Sequence, residues 1–152
     1  MQFEADVAWE RGSQPFADNR YSRGHAWTFD GGLRIPASSS PLSVPLPMSD
    51  AAAVDPEEAL VAAVSSCHMV FFLSLAQQAG YIVDSYRDRA VGTLARNSAG
   101  KLAMTRIVLR PAIAFAGAEP DQQALAQLHD AAHHKCYIAN SINTEITIEG
   151  AT

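Results

Sequence analysis

The sequence predicts an α+β fold with an antiparallel sheet, a long buried central helix and a second helix, and three observations carry that prediction. Several segments alternate polar and apolar residues or concentrate aromatics, as strands do. Two others, opening at Asp55-Pro56 and Pro120-Asp121, carry helix-start signals. Strands, helix, strands, helix and strand then follow one another, a grouping that favours antiparallel pairing over alternating βαβ units. At 152 residues the chain fits one domain, residues 1–152, large enough to bury a core.

Residues 3–11 and 21–29 have strand character, with Trp9, Tyr21, Trp27 and Phe29 among them. Asp30-Gly31-Gly32 is a turn signal, and residues 33–36 read as a short returning strand. Residues 37–50 hold Pro41, Pro45 and Pro47 among serines, which excludes a helix and predicts an extended surface loop. Asp55 caps the first helix, Pro56 takes its first position, and Glu57 and Glu58 suit the positive end of its dipole. The helix should run to about Ala79 and stop at Gly80. Apolar residues lie on nearly every face, so burial all round is expected, with part of the cover supplied by a second chain. Residues 81–97 and 101–115 read as two strands joined at Ser98-Ala99-Gly100. Pro120-Asp121 opens a helix reaching about Lys135, with Leu125, Leu128 and Ala132 on one face, and residues 142–149 form a last strand.

A formal net charge of −5 offers no electrostatic footprint for nucleic acid, and no Lys/Arg run suggests a membrane surface. The start of the chain alternates like a strand and does not resemble a secretory leader. Residues 59–76 are interrupted by Ser65, Ser66, His68 and Ser74, which reads as a buried helix and not a bilayer span. A cytoplasmic protein is expected. There, structural disulfides are rare. Cys67 and Cys136 are therefore inert core residues, metal ligands or a redox couple.

Cys67 falls in mid-helix, where no helix N-terminus helps ionise it and apolar surroundings raise a thiol pKa. A reactive Cys67 needs a nearby cation. Arginine suits, because it stays charged when desolvated and donates several hydrogen bonds. The candidates are Arg20, Arg23 and Arg34, with Glu57 or Glu58 to hold the guanidinium. Arg20 reads as a solvated surface residue, and Glu58 as a helix-start acid.

Asp55-Pro56-Glu57-Glu58 followed by Ser65-Ser66-Cys67 resembles the Asn-Pro-Glu-Glu/Gln…Ala-Cys segment of the OsmC/Ohr family. The ten-residue step from Glu57 to Cys67 agrees with it. Arg23-Gly24 is similar to the family's early Arg-Gly, and Ala132-His133-His134-Lys135-Cys136 resembles the Ala-His-x-x-Cys around its second cysteine. Tyr137 stands where the Ohr branch usually has proline, and His68 where an apolar residue is common. The resemblance implies an OsmC-like fold, an intertwined homodimer with sites at the subunit interface, and a cofactor-free, metal-free thiol peroxidase of oxidative and osmotic stress defence. It assigns Cys67 as attacking thiolate, Cys136 as resolving thiol, Arg23 as activator with Arg34 in reserve, and Glu57 as the arginine's partner. Organic hydroperoxides would be the substrates and an external dithiol the reductant. Bulky apolar peroxides are expected to fit best, against Met69, Val70 and Phe71. Cys136, near a helix C-terminus, sits where the dipole disfavours a thiolate, which suits a resolver.

Two other readings stand beside it. His129, His133 and Cys136 at i, i+4, i+7 lie on one helix face and could ligate zinc. A dimeric, non-catalytic binding protein using the Ser/Pro loop and the aromatics is the third. His68 reads as a packed or pocket-lining residue rather than a base.

Overall fold

The computed structural model describes residues 1–150 and resolves into two compact units, Met1–Ala59 and Leu60–Thr152.

In the first unit, strands β1 (Ala5–Ala8), β2 (His25–Phe29) and β3 (Arg34–Ala37) form an antiparallel sheet in the order β1-β2-β3. Ala5 lies opposite Phe29, and Thr28 opposite Arg34. The β2–β3 turn closes where Gly32 takes a φ of 82° that side chains resist, and its N–H reaches the Phe29 carbonyl at 2.8 Å. Both early strands are shorter than expected. Residues 9–22 instead cluster Trp9, Phe16 and Tyr21, the last two stacked at 4.5 Å between centroids.

The Ser/Pro segment is not the extended surface loop the sequence suggested. It folds back on β3: Ser38 N–H donates to Val54 O at 3.0 Å, Val54 N–H to Pro36 O at 3.2 Å, and Asp50 N–H to the Ser38 hydroxyl at 3.0 Å. Ser38, Ser40 and Ser49 are buried. The Ser38 and Ser40 hydroxyls serve the backbone and let a proline-rich chain turn inward without helix or sheet, while the Ser49 hydroxyl has no partner among the described residues.

Helix α1 (Pro56–Gln78) opens with Asp55 Oδ1 accepting from Glu58 N–H at 2.8 Å. It ends in a Schellman arrangement: Tyr81 N–H donates to Ala76 O and Gly80 N–H to Gln77 O, with Gly80 at φ 86°. Within this chain α1 buries only the i, i+4 stripe Val64, His68, Phe72 and Ala76, while Ala62, Ala63, Ser66 and Val70 stay exposed. The expected burial on all sides is thus not met within a single chain.

In the second unit the two long strands each break in the middle. Strand β4 (Ile82–Asp88) pairs antiparallel with β7 (Pro111–Ala116), and β5 (Val91–Arg96) with β6 (Leu102–Leu109). Asp88 takes the Arg110 N–H at 2.6 Å, and Pro111 has no N–H to give, so the ladder is interrupted at one level on both arms. The turn at residues 97–100 is stapled by Asn97 Oδ1, which accepts from Ala99 and Lys101 N–H at 3.0 Å each. Gly92 has no room for a Cβ, which would meet Val61 Cγ2 at 2.5 Å; here β5 passes close against α1. The last strand, β8 (Glu145–Ile148), pairs parallel with β6, a departure from the all-antiparallel expectation.

Helix α2 (Gln122–Lys135) starts at Asp121, whose carboxylate accepts from Ala124 N–H at 2.8 Å, and ends at Cys136. Two apolar clusters hold this unit together. Val64 packs with Ile107 and Leu109, and Phe72 and Ala76 pack with Ala132 of α2.

Candidate active site

Cys67 sits midway along α1, half-buried, between exposed Ser66 and buried His68. Cys136 is the C-cap of α2 and is 1% exposed. The fold brings these thiols together from 69 positions apart, close enough for a hydrogen bond between them, and both are reduced. Burial first, and then the hydrogen bond that its S–H donates to Cys67, push the Cys136 thiol up to about 11. Ala139 N–H donates to its sulfur at 3.4 Å and offsets part of the rise. At neutral pH Cys136 is therefore a protonated thiol. Outside the pair, the Phe71 and Tyr137 rings meet edge to face at 5.1 Å.

His68, next to Cys67, points into the core and meets His129 of α2. Nε2 of His68 lies 3.0 Å from Nδ1 of His129. Their rings are nearly parallel, at 10°, with centroids 5.3 Å apart. That separation fits two rings pointing nitrogen to nitrogen in one plane, and not face-to-face stacking. Burial holds each imidazole down at about 4; the other histidines add to this at His68, while Asp88 works against it at His129. Both rings are neutral at physiological pH. Asp88 is held by the Ser65 hydroxyl at 2.5 Å and by Arg110 N–H. Neither the residue types nor any local spacing singled out this pair. Of the three candidate zinc ligands, His129 meets His68 through Nδ1. Among the described residues no group of three or more His, Cys, Asp or Glu is disposed to hold a metal ion.

The first unit contains a cavity of about 480 Å³ walled by Val7, Trp9, Phe16 and Tyr21, with Arg23, His25 and Glu57 also lining it. These walls differ from the Met69, Val70 and Phe71 expected. Arg23 donates through Nη1 to Asn19 O at 3.1 Å and to Tyr21 O, and through Nη2 to Asn19 Oδ1 at 2.7 Å. Its guanidinium lies 3.8 Å over the Tyr21 ring. Glu57 shares the cavity wall, but Asn19 and Tyr21 make the contacts to the guanidinium. Asn19 adopts a φ of 59°, which asparagine tolerates better than most residues and which alone could have marked it in the sequence. His25 orders the same strand end: Trp27 Nε1–H donates to its Nε2 at 2.9 Å, and its Nδ1 meets Arg23 O at 2.7 Å. Arg34 is exposed on β3, and so is Arg20.

The family described as OsmC-like protein matches residues 49–150, so the chain belongs to it. An OsmC-like protein of unknown function from Vibrio cholerae is 52% identical, with 98% of each chain covered and a TM-score of 0.96. More distant structures share the fold. An organic hydroperoxide resistance protein OsmC from Legionella pneumophila is 14% identical over 97% of this chain and 96% of its own, with a TM-score of 0.68. OhrB, the organic hydroperoxide resistance protein of Bacillus subtilis, is 16% identical over 98% and 97%, with a TM-score of 0.63. No curated protein matches the chain.

Proposed function

We propose that this member of the OsmC-like family is a cytoplasmic thiol peroxidase that reduces organic hydroperoxides. The observation that carries the reading is the juxtaposition of Cys67 and Cys136, with Cys136 kept protonated. A fold has no need to place two cysteines 69 positions apart side by side, and an attacker with a protonated neighbour is what a two-thiol cycle requires.

The cycle begins with the Cys67 thiolate attacking the outer peroxide oxygen. The O–O bond breaks, the alkoxide takes a proton and leaves as an alcohol, and Cys67 becomes a sulfenic acid. Cys136 then attacks that sulfur, its thiol proton and the sulfenic hydroxyl leave as water, and the Cys67–Cys136 disulfide forms. An external dithiol restores both thiols. Arg23 would steady the thiolate and the peroxide oxygen through its forked donors, with Glu57 as its carboxylate partner.

A homodimer belongs to the same proposal. Mid-helix, α1 leaves Ala62, Ala63 and Val70 exposed, the last at 58%, beside Ser66 and Ser74, and a strip of small and apolar residues there suits a partner helix. Helix α1 is unbroken from Pro56 to Gln78, so Glu57 and Cys67 stand about 15 Å apart along its axis. A second copy would bring the start of one helix towards the middle of the other.

The test is the pair of serine variants. Cys67→Ser should lose hydroperoxide turnover by several orders of magnitude, while Cys136→Ser should complete one oxidation and stall at the sulfenic acid, detectable by mass. Equal partial loss in both variants would sink the proposal. The aromatic-walled cavity supports a second reading, a non-catalytic binder of apolar molecules, which full activity loss in neither variant would favour.

A further inference from the structure

We infer that the His68–His129 hydrogen bond is a positioning clamp that holds helix α2 in register against α1 and so keeps Cys136 facing Cys67. The inference deepens the redox reading of the cysteine pair and rests on it.

The geometry begins with sequence offsets. His68 is the residue after Cys67 on α1, and His129 lies seven residues before Cys136 on α2. Seven residues are close to two full helical turns, so His129 and Cys136 share a face of α2 about 10 Å apart along its axis. Between them Ala132, fully buried, packs with Phe72 and Ala76 of α1. Phe71 and Leu75 of α1 and Leu125 and Leu128 of α2 pack around them, and such apolar contacts carry no directional bond. The single directional bond between the two helices' facing rings, at 3.0 Å, does not permit sliding. A slip of one residue is 1.5 Å, enough to break that bond. The same slip would carry Cys136 out of disulfide reach, since Cβ separations in disulfides span only about 3.5–4.5 Å.

The pair has no other evident purpose. Its outer nitrogens, Nδ1 of His68 and Nε2 of His129, are buried and have no hydrogen-bond partner among the described residues. Two apolar residues would fill the space without leaving those groups unsatisfied. The bond needs one proton between the two inner nitrogens, so it exists only while the pair is not doubly protonated. The groups facing it are His133 of α2 and Asp88 and Tyr86 of β4. Of these, His133 disfavours a charge on His68 and Asp88 favours one on His129, while Tyr86 is itself a neutral phenol. The clamp therefore holds at neutral pH and weakens as the pH approaches 4.

The experiment measures the thiol–disulfide equilibrium of the intact protein in glutathione buffers, with no peroxide present. Two cysteine thiols give two electrons and two protons, the S–S bond forms between Cys67 and Cys136, and glutathione disulfide leaves as two thiols. A failure of peroxide turnover would leave this readout intact. His68→Leu/His129→Leu should weaken the disulfide about tenfold at pH 7, near the contribution of one lost hydrogen bond, with its melting temperature kept. His68→Gln/His129→Asn places amide groups near the positions of the two inner nitrogens. It should restore the wild-type equilibrium and, having no titrating clamp, keep it towards pH 4 where the wild type weakens. An unchanged equilibrium in the leucine variant would overturn the inference, as would an amide variant no better than it. If the leucine variant fails to fold, the wild-type and amide pH profiles decide: identical profiles overturn it.

Discussion

Residues 1–59 and residues 60–150 are stabilised in different ways. The first unit has almost no apolar core of its own: its buried members are Ala26, Ala37, three serines and Asp55, and its larger residues wall a cavity. Local hydrogen bonds hold it, serine to backbone, Asn19 to Arg23, Trp27 to His25 to Arg23 O, each ring nitrogen of His25 partnered. The second unit packs Phe72, Ile107, Leu109 and Val64 to near-zero exposure and accepts two histidines with a nitrogen each left unpaired. The arginine thus sits on a lightly buried, locally laced scaffold, and the thiols on a dense one.

The largest expected effect probes the dense side. Phe72→Ala removes a fully buried ring that touches Ala76, Tyr86 and His129. It should cost about 3–5 kcal/mol, read by urea denaturation, whereas Val7→Ala in the first unit should stay within about 0.5 kcal/mol. Equal costs would erase the contrast between the units.

Acid should separate them next. His68 and His129 have folded pKa values near 4 against 6.5 unfolded, so the unfolded chain binds more protons between those limits. Their stabilisation is complete above pH 6.5 and is lost as the pH falls towards 4, a few kcal/mol in all. Denaturation midpoints should fall across that window in the wild type and stay nearly level in His68→Gln/His129→Asn. A drop of the same size in both would place the acid sensitivity elsewhere.

What the sequence made legible was local. The α1 and α2 caps at Asp55 and Asp121, the Gly80 stop and the turn at residues 97–100 are each written within a few neighbouring residues, and the structure has them there. The break of both long strands was not legible, because it depends on Asp88 reaching Arg110 N–H across 22 positions. The inward fold of the Ser/Pro segment depends likewise on Ser38 meeting Asp50 and Val54. Parallel pairing of β6 with β8 leaves no mark in an alternating strand of four residues. At the candidate site, Cys67 and Cys136 stood out only through the motifs around them, whereas nothing in the sequence pairs His68 with His129, 61 positions apart. The all-round apolar pattern of α1 predicted cover from a second chain as well as its own, but could not say which faces each would take; within this chain only the Val64, His68, Phe72 and Ala76 stripe is buried.

The smallest effect on stability is expected where the first unit holds its arginine, and there it should separate from the effect on function. Asn19 carries a φ of 59°, a conformation glycine adopts without strain. Asn19→Gly keeps the carbonyl that Arg23 Nη1 reaches at 3.1 Å and removes only the Oδ1 partner of Nη2 at 2.7 Å. The site is exposed, and the relief of backbone strain opposes the loss of one hydrogen bond, so the melting temperature should hardly move. The guanidinium, freed from one of its anchors, should then sample orientations that no longer aim its forked donors at a thiolate or a peroxide oxygen. If Arg23 activates Cys67, hydroperoxide kcat/KM should fall severalfold in Asn19→Gly and further in Arg23→Lys, which keeps the charge but not the fork. Arg34→Ala, on an exposed strand edge, should leave it unchanged. The reverse ranking, with Arg34→Ala impaired and Asn19→Gly intact, would transfer the activating role to Arg34 and leave the Asn19–Arg23–Tyr21 assembly a purely structural lace.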